Sequence, residues 1–372
     1  MLTVVWVFFY IAYSLVLVHL VRCWKQLPSA TLHDHSELEI SLIIPFRNEA
    51  ERLPRLLESL STQQYKHLEI IFIDDYSTDH SVGIIDEFIA AAPLDCRLIN
   101  NQNQGKKWAI TTGIQAARGK IILTTDADCV LGASIPIIVA STFENEACHL
   151  AFGAVGFKQT DQLVEKLQQI EFASLMAVNA SMAASGSPLT GSAAFMAFRK
   201  SSFETVGGFE GNFDIPSGDD EFLIRKIKSA FPDGITFIKH PNARVTTEYI
   251  KSWRDFYHQR VRWAGKWRQS SHGKERWAGP AVFLFHLVSL AGITGLLFDS
   301  ISIYWVLGGL LSRAFFEYQL IHGYLRFYSV RVSFLHVLCL SLIYSLYAIF
   351  FGIAANINQY DWKGRRYHAH DR

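Results

Sequence analysis

A chain of 372 residues with Lys+Arg 35 against Asp+Glu 34 has a net charge of +1, which excludes the bulk basic surface of a nucleic-acid binder. Half of its residues are hydrophobic and 19% are charged, apolar for a soluble enzyme, and the excess gathers at the two ends. Cys23, Cys96, Cys129, Cys148 and Cys339 are scattered, odd in number and without metal-ligand spacing, which fits a reducing compartment rather than a disulfide framework.

Leu2 to Val21 contains no Asp, Glu, Lys or Arg and is about the length that crosses a bilayer as a helix. A cleaved signal peptide is the rival reading. It lacks a basic start and a small-residue cleavage site, and Arg22 and Lys25 follow the apolar run, so a retained anchor with its amino terminus outside is expected.

From Glu39 the pattern alternates. Ile40 to Ile44 reads as a strand stopped at Pro45. A helix follows from Asn48 to Leu60, with Asn48 as its N-cap, and then a strand from Leu68 to Ile73. Next come a helix from Ser81 to Ala91, a short strand from Arg97 to Ile99, and a helix from Lys106 to Ala117. Ile121 to Leu123 completes the series as a strand buried on both faces. Strands alternating with helices imply right-handed crossovers and a mainly parallel sheet. Asp126 and Asp128 project to one side at the carboxyl end of the last strand, and Asp74 and Asp75 end an earlier one. In such a sheet both pairs face the ligand crevice. Two adjacent carboxylates repel unless a cation lies between them, and a hard divalent ion carrying phosphate oxygens answers that need. The alternative reading of Asp74 and Asp75 is helix capping or turn formation, a job that Asp79, just before the second helix, could equally do.

Further along, Leu163 to Ala184 suits either interfacial or core packing. Lys251 to Arg268 reads as a basic amphipathic helix with Trp253, Phe256, Tyr257, Trp263 and Trp267, the composition of a helix at a membrane surface. Ala281 to Phe298, Ile301 to Ile321 and Val332 to Ile357 are three more apolar stretches, the first and third of which resemble simple spans. The middle one holds Arg313 and Glu317, four apart and able to pair on one helix face. Three full crossings put the basic tail Asp361-Trp-Lys-Gly-Arg-Arg-Tyr367 opposite the central region, against the positive-inside rule. One stretch is therefore expected to be re-entrant or interfacial, and composition does not say which.

Ile43-Ile-Pro-Phe-Arg-Asn-Glu49, Ile73-Asp-Asp-Tyr-Ser-Thr-Asp79, Asn103-Gln-Gly-Lys106 and Asp126-Ala-Asp128 occur in that order. They are followed by Thr190-Gly-Ser, Val206-Gly-Gly-Phe209, Gly218-Asp-Asp220-Glu-Phe-Leu and Gln259-Arg-Val-Arg262-Trp263. Together they resemble the family 2 glycosyltransferases over about residues 39 to 270. Gln-x-x-Arg-Trp resembles the membrane-associated branch, which includes polysaccharide synthases and ceramide glucosyltransferases. The tail Trp-Lys-Gly-Arg-Arg-Tyr looks like that of the latter.

The resemblance implies an α/β fold of the GT-A nucleotide-diphosphosugar type, a mainly parallel sheet flanked by helices, with transmembrane helices at both ends. It divides the chain into an anchor (1–22), a cytoplasmic catalytic domain (39–250), an interfacial helix (251–278), a transmembrane region (279–357) and a basic tail (358–372). It implies Asp128 as a ligand of Mg²⁺ or Mn²⁺, with Asp126 as a second ligand or a ribose contact. Asp75, with Asp74 beside it, accepts from the base, while Pro45, Arg47 and Glu49 wall the nucleoside pocket. Many relatives carry an aromatic ring in place of Arg47; a guanidinium plane also stacks on a base, so a UDP-sugar remains the expected donor. Lys106 approaches the nucleotide, although a solvated lysine at a helix start is the bland alternative. Asp220, flanked by Asp219 and Glu221, is the expected general base of an inverting transfer. Arg262 faces the departing diphosphate. Gln259 and Trp263 line the acceptor entrance with Asp219 beside it, and Thr190, Gly191 and Ser192 shape the acceptor pocket.

The expected protein is thus an integral membrane enzyme of a bacterial inner membrane or its equivalent. It takes a nucleotide-sugar donor and a lipid acceptor, with the bilayer as partner and no nucleic acid. A small processive polysaccharide synthase is the alternative within the family. A non-catalytic membrane protein that binds nucleotide-sugars is the alternative outside it.

Overall fold

A computed structural model describes residues 2–33, 36–213, 215, 218–265, 277–357, 360–362 and 365–367. The tail residues 358–359, 363–364 and 368–372, and Lys266 to Arg268 of the expected basic helix with Trp267 among them, lie outside the described residues. In chain order the elements are α1 (Leu2–Gln26), β1 (Ile40–Phe46), α2 (Leu53–Ser61), β2 (Leu68–Asp74), α3 (Ser81–Ala91), β3 (Asp95–Asn100) and α4 (Lys106–Ala116). Then come β4 (Ile121–Thr124), α5 (Ile135–Phe143), β5 (Leu150–Phe157), α6 (Leu163–Ala184), β6 (Met196–Arg199), α7 (Lys200–Thr205) and α8 (Asp219–Ala230). The last are β7 (Ile235–Ile238), β8 (Arg244–Thr247), α9 (Trp253–Gly265), α10 (Ala278–Gly295), α11 (Ile303–Phe327), α12 (Phe334–Ile357), β9 (Tyr360–Trp362) and β10 (Arg365–Tyr367).

The chain forms two compact units. The first, Gln26–Lys158 with Asn179–Glu248, holds an eight-stranded sheet of order β3-β2-β1-β4-β6-β5-β7, with β8 beside β5. β6 runs antiparallel to both of its neighbours, β4 and β5, and the other pairings are parallel. Every residue of β1, β2 and β4 is buried, as expected of central strands covered on both faces, whose sequences read as continuous apolar runs.

Two expectations need correction here. β1 does not stop at Pro45. β4 pairs with β1 only as far as Ile43, so at Pro45 the strand has β2 alone for a neighbour, and the missing N–H leaves no rung of the β4 ladder unmade. The following helix does not start at Asn48 either. Asn48 has φ 51° and its Oδ1 accepts from the Thr78 N–H at 2.7 Å, so it ties two loops together, and helix begins at Leu53.

The end of the sheet opposite the acidic pairs is fastened by Glu69. Its carboxylate accepts from Ser41 Oγ at 2.5 Å, the Arg118 N–H at 2.6 Å and Arg97 Nη2 at 2.8 Å. Burial works against its charge, but these donors outweigh burial and hold the carboxyl below its ordinary value. The stability it lends is therefore present above the unfolded carboxylate range and lost as pH falls through the lower folded value.

The second unit, Met1–Lys25 with Gln159–Val178 and Tyr249–Arg372, contains α1, α9, α10, α11, α12, the β9–β10 hairpin and most of α6. Among the described residues three helices are long and apolar enough to cross a membrane: Leu2–Gln26, Ala278–Phe298 and Phe334–Asn356, with mean hydropathies of 2.3, 2.1 and 2.2. α11 is less apolar because Arg313 and Glu317 lie inside it. Arg313 is 1% exposed and donates to Glu317 at 2.9 Å and Ser345 at 3.0 Å. Glu317 also accepts from Tyr13 at 2.8 Å and from Ser341. This satisfied network joins α1, α11 and α12 through polar groups, as a buried ion pair among apolar helices requires.

Candidate functional site

The loops after β1, β2, β3 and β4 carry most of the sheet unit's candidate residues, with Pro45 and Asp74 near the ends of β1 and β2, Thr190 to Ser192 ahead of β6, and Asp219 and Asp220 at the start of α8. Two of these loops hold non-glycine residues in the left-handed region, Asn48 and Tyr76 at φ 51° and 62°, a conformation that costs energy and tends to persist at working sites. Asp75 is buried. Its Oδ1 accepts from the Gly105 N–H at 2.8 Å and Asn101 Nδ2 at 3.0 Å, and its carbonyl accepts from Arg47 Nη1 at 2.9 Å. One carboxylate thus fixes the 101–105 loop and, through Gly105, the start of α4. Gly105 has φ 120°, open to glycine and strained for other residues. Asp74 Oδ1 accepts from the Ser77 N–H at 3.0 Å. Glu49, 2% exposed, pairs with Arg52 at 2.9 Å. Asp79, one residue before the N-cap His80 of α3, accepts from the Ser81 N–H and the Ala50 N–H, each at 3.0 Å, and so ties the head of that helix to the loop after β1.

Lys106 joins three segments. Its Nζ lies 2.5 Å from Asp126 Oδ1 and 3.6 Å from Asp219 Oδ2. Burial disfavours its charge, but Asp126 and Asp219 outweigh burial and hold the ammonium above its usual range, with Asp220 adding to the effect. It is therefore not a solvated helix-start lysine but the counter-charge of a carboxylate cluster. Asp220, 7% exposed, lies in the first turn of α8, where its Oδ1 accepts from the Glu221 N–H at 2.9 Å. Asp128 Oδ1 accepts from Cys129 Sγ at 3.5 Å. Burial, with Asp128 and Asp126 adding to it, pushes that thiol well up, so Cys129 remains a neutral donor.

Among the described residues no three His, Cys, Asp or Glu side chains form a group that could hold a metal ion unaided. The donor set nevertheless fits a hard cation. Asp126 and Asp128 supply only carboxylate oxygens, and ions of the Mg²⁺ type are bound through one or two carboxylates plus substrate phosphates.

Three features of this site escaped the sequence reading. Lys107, one residue from Lys106 and therefore on another helix face, is buried and donates to the Asn212 and Ile215 carbonyls at 2.7 and 2.5 Å. Trp108 stacks on Phe213 at 3.9 Å. Both grip the segment that leads into Asp219 and Asp220. Asn101 bridges Asp75 and Thr112. Gly191 lies so close to α8 that a Cβ there would meet Ile224 at 3.0 Å and Phe152 at 3.2 Å, which accounts for glycine between Thr190 and Ser192.

In the second unit, Gln259, Arg262 and Trp263 lie on α9, half-buried. Between them Arg260, 4% exposed, meets Glu171 of α6 at 2.5 Å and donates to Tyr347 at 2.7 Å. Its guanidinium lies over the rings of Phe256 and Trp263 at 4.3 and 4.4 Å. Burial opposes its charge, but Glu171 and Tyr347 outweigh burial. The available signal for this cluster was an acid in the apolar run of α6.

Residues 41–207 match the family model of glycosyl transferase family 2. The chain carries a family 2 glycosyltransferase domain. It is 30% identical over 235 residues to a poly-beta-1,6-N-acetyl-D-glucosamine synthase of Staphylococcus epidermidis, covering 62% of this chain and 55% of that protein. It is 39% identical over 95 residues to an undecaprenyl-phosphate 4-deoxy-4-formamido-L-arabinose transferase of Shewanella sediminis, covering 24% and 28%. The chain thus spans about half the length of the first of these relatives and about a quarter of the second. In three dimensions it resembles the mannosyltransferase PcManGT from Pyrobaculum calidifontis, solved in complex with GDP-Man and Mn²⁺. That likeness has TM-score 0.59 at 16% identity over 93% of this chain and 99% of that one. The sheet unit is accordingly a GT-A fold, with β6 as the antiparallel exception in its mainly parallel sheet.

Proposed function

We propose that this protein is a membrane-embedded, inverting glycosyltransferase that moves a sugar from a UDP-linked donor to a lipid acceptor at the cytoplasmic face. The observation that carries the reading is the cluster of Lys106 at the start of α4, Asp126 after β4, and Asp219 with the adjacent Asp220 at the start of α8. There a lysine and carboxylates from three segments meet where a diphosphate and its counter-ion would lie. Asp126 and Asp128 would hold Mg²⁺ or Mn²⁺ together with the donor's phosphates, and the bound cation would neutralise charge on the departing nucleoside diphosphate. Asp75 and Asp74, with Pro45, Arg47 and Glu49, form the nucleoside pocket. Lys106 leaves Asp126 for the phosphates. Asp220 takes the proton of the acceptor hydroxyl as that oxygen attacks opposite the leaving group, which turns an α-linked donor into a β-linked product. Arg262, Gln259 and Trp263 serve the leaving group and the acceptor, with Thr190, Gly191 and Ser192 shaping the acceptor side.

The experiment is to incubate membranes with a panel of labelled nucleotide-sugars and to extract lipid and polymer separately. Label from a UDP-sugar is expected in the lipid fraction. EDTA abolishes its appearance and Mn²⁺ or Mg²⁺ restores it, while Asp128→Asn raises the metal concentration needed. The likeness to a poly-N-acetylglucosamine synthase supports a second reading, a small processive synthase, and label in growing polymer would select it. Release of UDP without any acceptor product would reject both.

A further inference from the structure

We infer that α12 lies along one leaflet of the bilayer rather than through it, its outward face in the acyl chains, so that the tail after Ile357 returns to the side on which α9 lies. This rests on the membrane reading above.

α1 provides the ruler. α10 runs against it: Gly295 lies at Leu2, Gly292 at Trp6, Ser289 at Tyr10 (2.5 Å) and Phe285 at Tyr13 (4.1 Å). α11 runs with it: Gly309 takes the Trp6 ring, Ser312 meets Ser14 at 3.3 Å, and Tyr324 lies 5.3 Å from Trp24. A fourth crossing helix after α11 would run against α11 and therefore along α10. α12 does the first: Ser345 meets Arg313, Ser341 meets Glu317, and Phe334 lies 5.6 Å from Tyr318. It does the opposite of the second. Ser345 meets His286 at 3.2 Å, but seven residues later Gly352 stands against Phe283, nearer the start of α10. A straight helix that opposes two mutually opposed neighbours crosses both obliquely. From Phe334 to Ser345, α12 advances about 17 Å while passing about 8 Å of α11, and from Ser345 to Gly352 it advances about 11 Å while moving about 5 Å back along α10. Both ends are displaced toward the end of α1 that leads to Gln26.

The last turns of α12 and the chain after them agree. Phe351, Ala354 and Ala355 pack on Val261 of α9, and β9 lies against α9. With Arg254, Asp255, His258, Arg260 and Arg262 in thirteen residues, α9 is too short and polar to cross. Leu335, Leu342, Leu346, Phe350 and Ile353 are exposed along one side of α12, away from buried Ser341 and Ser345, an apolar stripe that acyl chains cover whichever way the helix lies. α1, α10 and α11 then make the crossings, and the basic tail stays on the side of α9, as the positive-inside rule asks. The network around Arg313 holds α11 in place as a spanning helix.

In sealed vesicles containing a cysteine-free variant that retains transfer, single cysteines replace Glu58, Ser300 and Arg372. They are labelled with a membrane-impermeant maleimide. Arg372→Cys is expected to react from the same face as Glu58→Cys, and Ser300→Cys from the other. A fluorophore at Leu335, Leu346 or Ile353 is expected to be quenched equally by lipids carrying a quencher at one depth. Arg372→Cys reacting together with Ser300→Cys, or Leu335 and Ile353 reporting opposite leaflets, overturns the inference and leaves the membrane reading standing. Release of the protein by alkaline carbonate overturns both.

Discussion

Asp220→Asn is expected to lower sugar transfer about 10³-fold while nucleotide-sugar binding persists, within the range of about 10² to 10⁴ that one positioned base contributes. The asparagine keeps the local structure. Its side-chain oxygen still accepts from the Glu221 N–H, so α8 retains its first turn, and the amide fills nearly the same volume in a position that is only 7% exposed. What it loses is the ability to take a proton. The effect therefore belongs in kcat, with the donor KM within about twofold of the parent, because only an interaction made in the transition state has been removed. Asp219→Asn separates the two acids. Asp219 faces Lys106 at 3.6 Å, so its loss weakens the setting of the lysine and raises donor KM more than it lowers kcat. Steady-state kinetics with a purified UDP-sugar, alongside circular dichroism of each variant, checks both. Asp220→Asn turning over at the parent rate would remove the base assignment.

Sequence patterning carried the sheet unit well because its signals are local. α3 matches its expected bounds to the residue, and β1, β2 and β4 read as buried runs because both faces of those strands are covered. What failed depends on partners distant in the chain. Asn48 resembles an N-cap until Thr78 takes its side chain. Pro45 resembles a strand stop until the β4 pairing along β1 is seen to end at Ile43. The candidate site divides in the same way. Asp75, Lys106, Asp126 and Asp220 stand out as charged groups at strand ends or a helix start. Lys107 and Trp108 look like ordinary helix residues, and their hold on Asn212, Phe213 and Ile215 exists only once the chain is folded. The setting inferred for α12 has no counterpart in hydropathy, since its value equals that of α1 and α10 within 0.1.

Glu171→Ala is expected to destabilise the second unit by about 3 to 5 kcal/mol, the cost of leaving a buried guanidinium without its carboxylate. Arg260 is 4% exposed and Glu171 5%, and arginine cannot shed its proton to escape. Two aromatic faces and Tyr347 soften the loss without replacing a full negative charge. Arg260→Met alone should cost a similar amount, since Glu171 then keeps only the Tyr347 hydroxyl at 2.5 Å among its bonded partners in this cluster. The double variant, Glu171→Met with Arg260→Met, removes both charges and fills the space with flexible apolar groups, and it should recover most of the stability lost by either single change. Thermal unfolding in detergent measures the cycle. Transfer activity supplies the second axis, because Arg260 sits between Gln259 and Arg262 on α9. If the cluster serves only stability, the double variant regains activity along with its melting temperature. If it also orients α9 for catalysis, the double variant melts like the parent and transfers slowly, with the deficit in kcat. Two single variants as stable as the parent would mean that Arg260 and Glu171 are not buried as a pair.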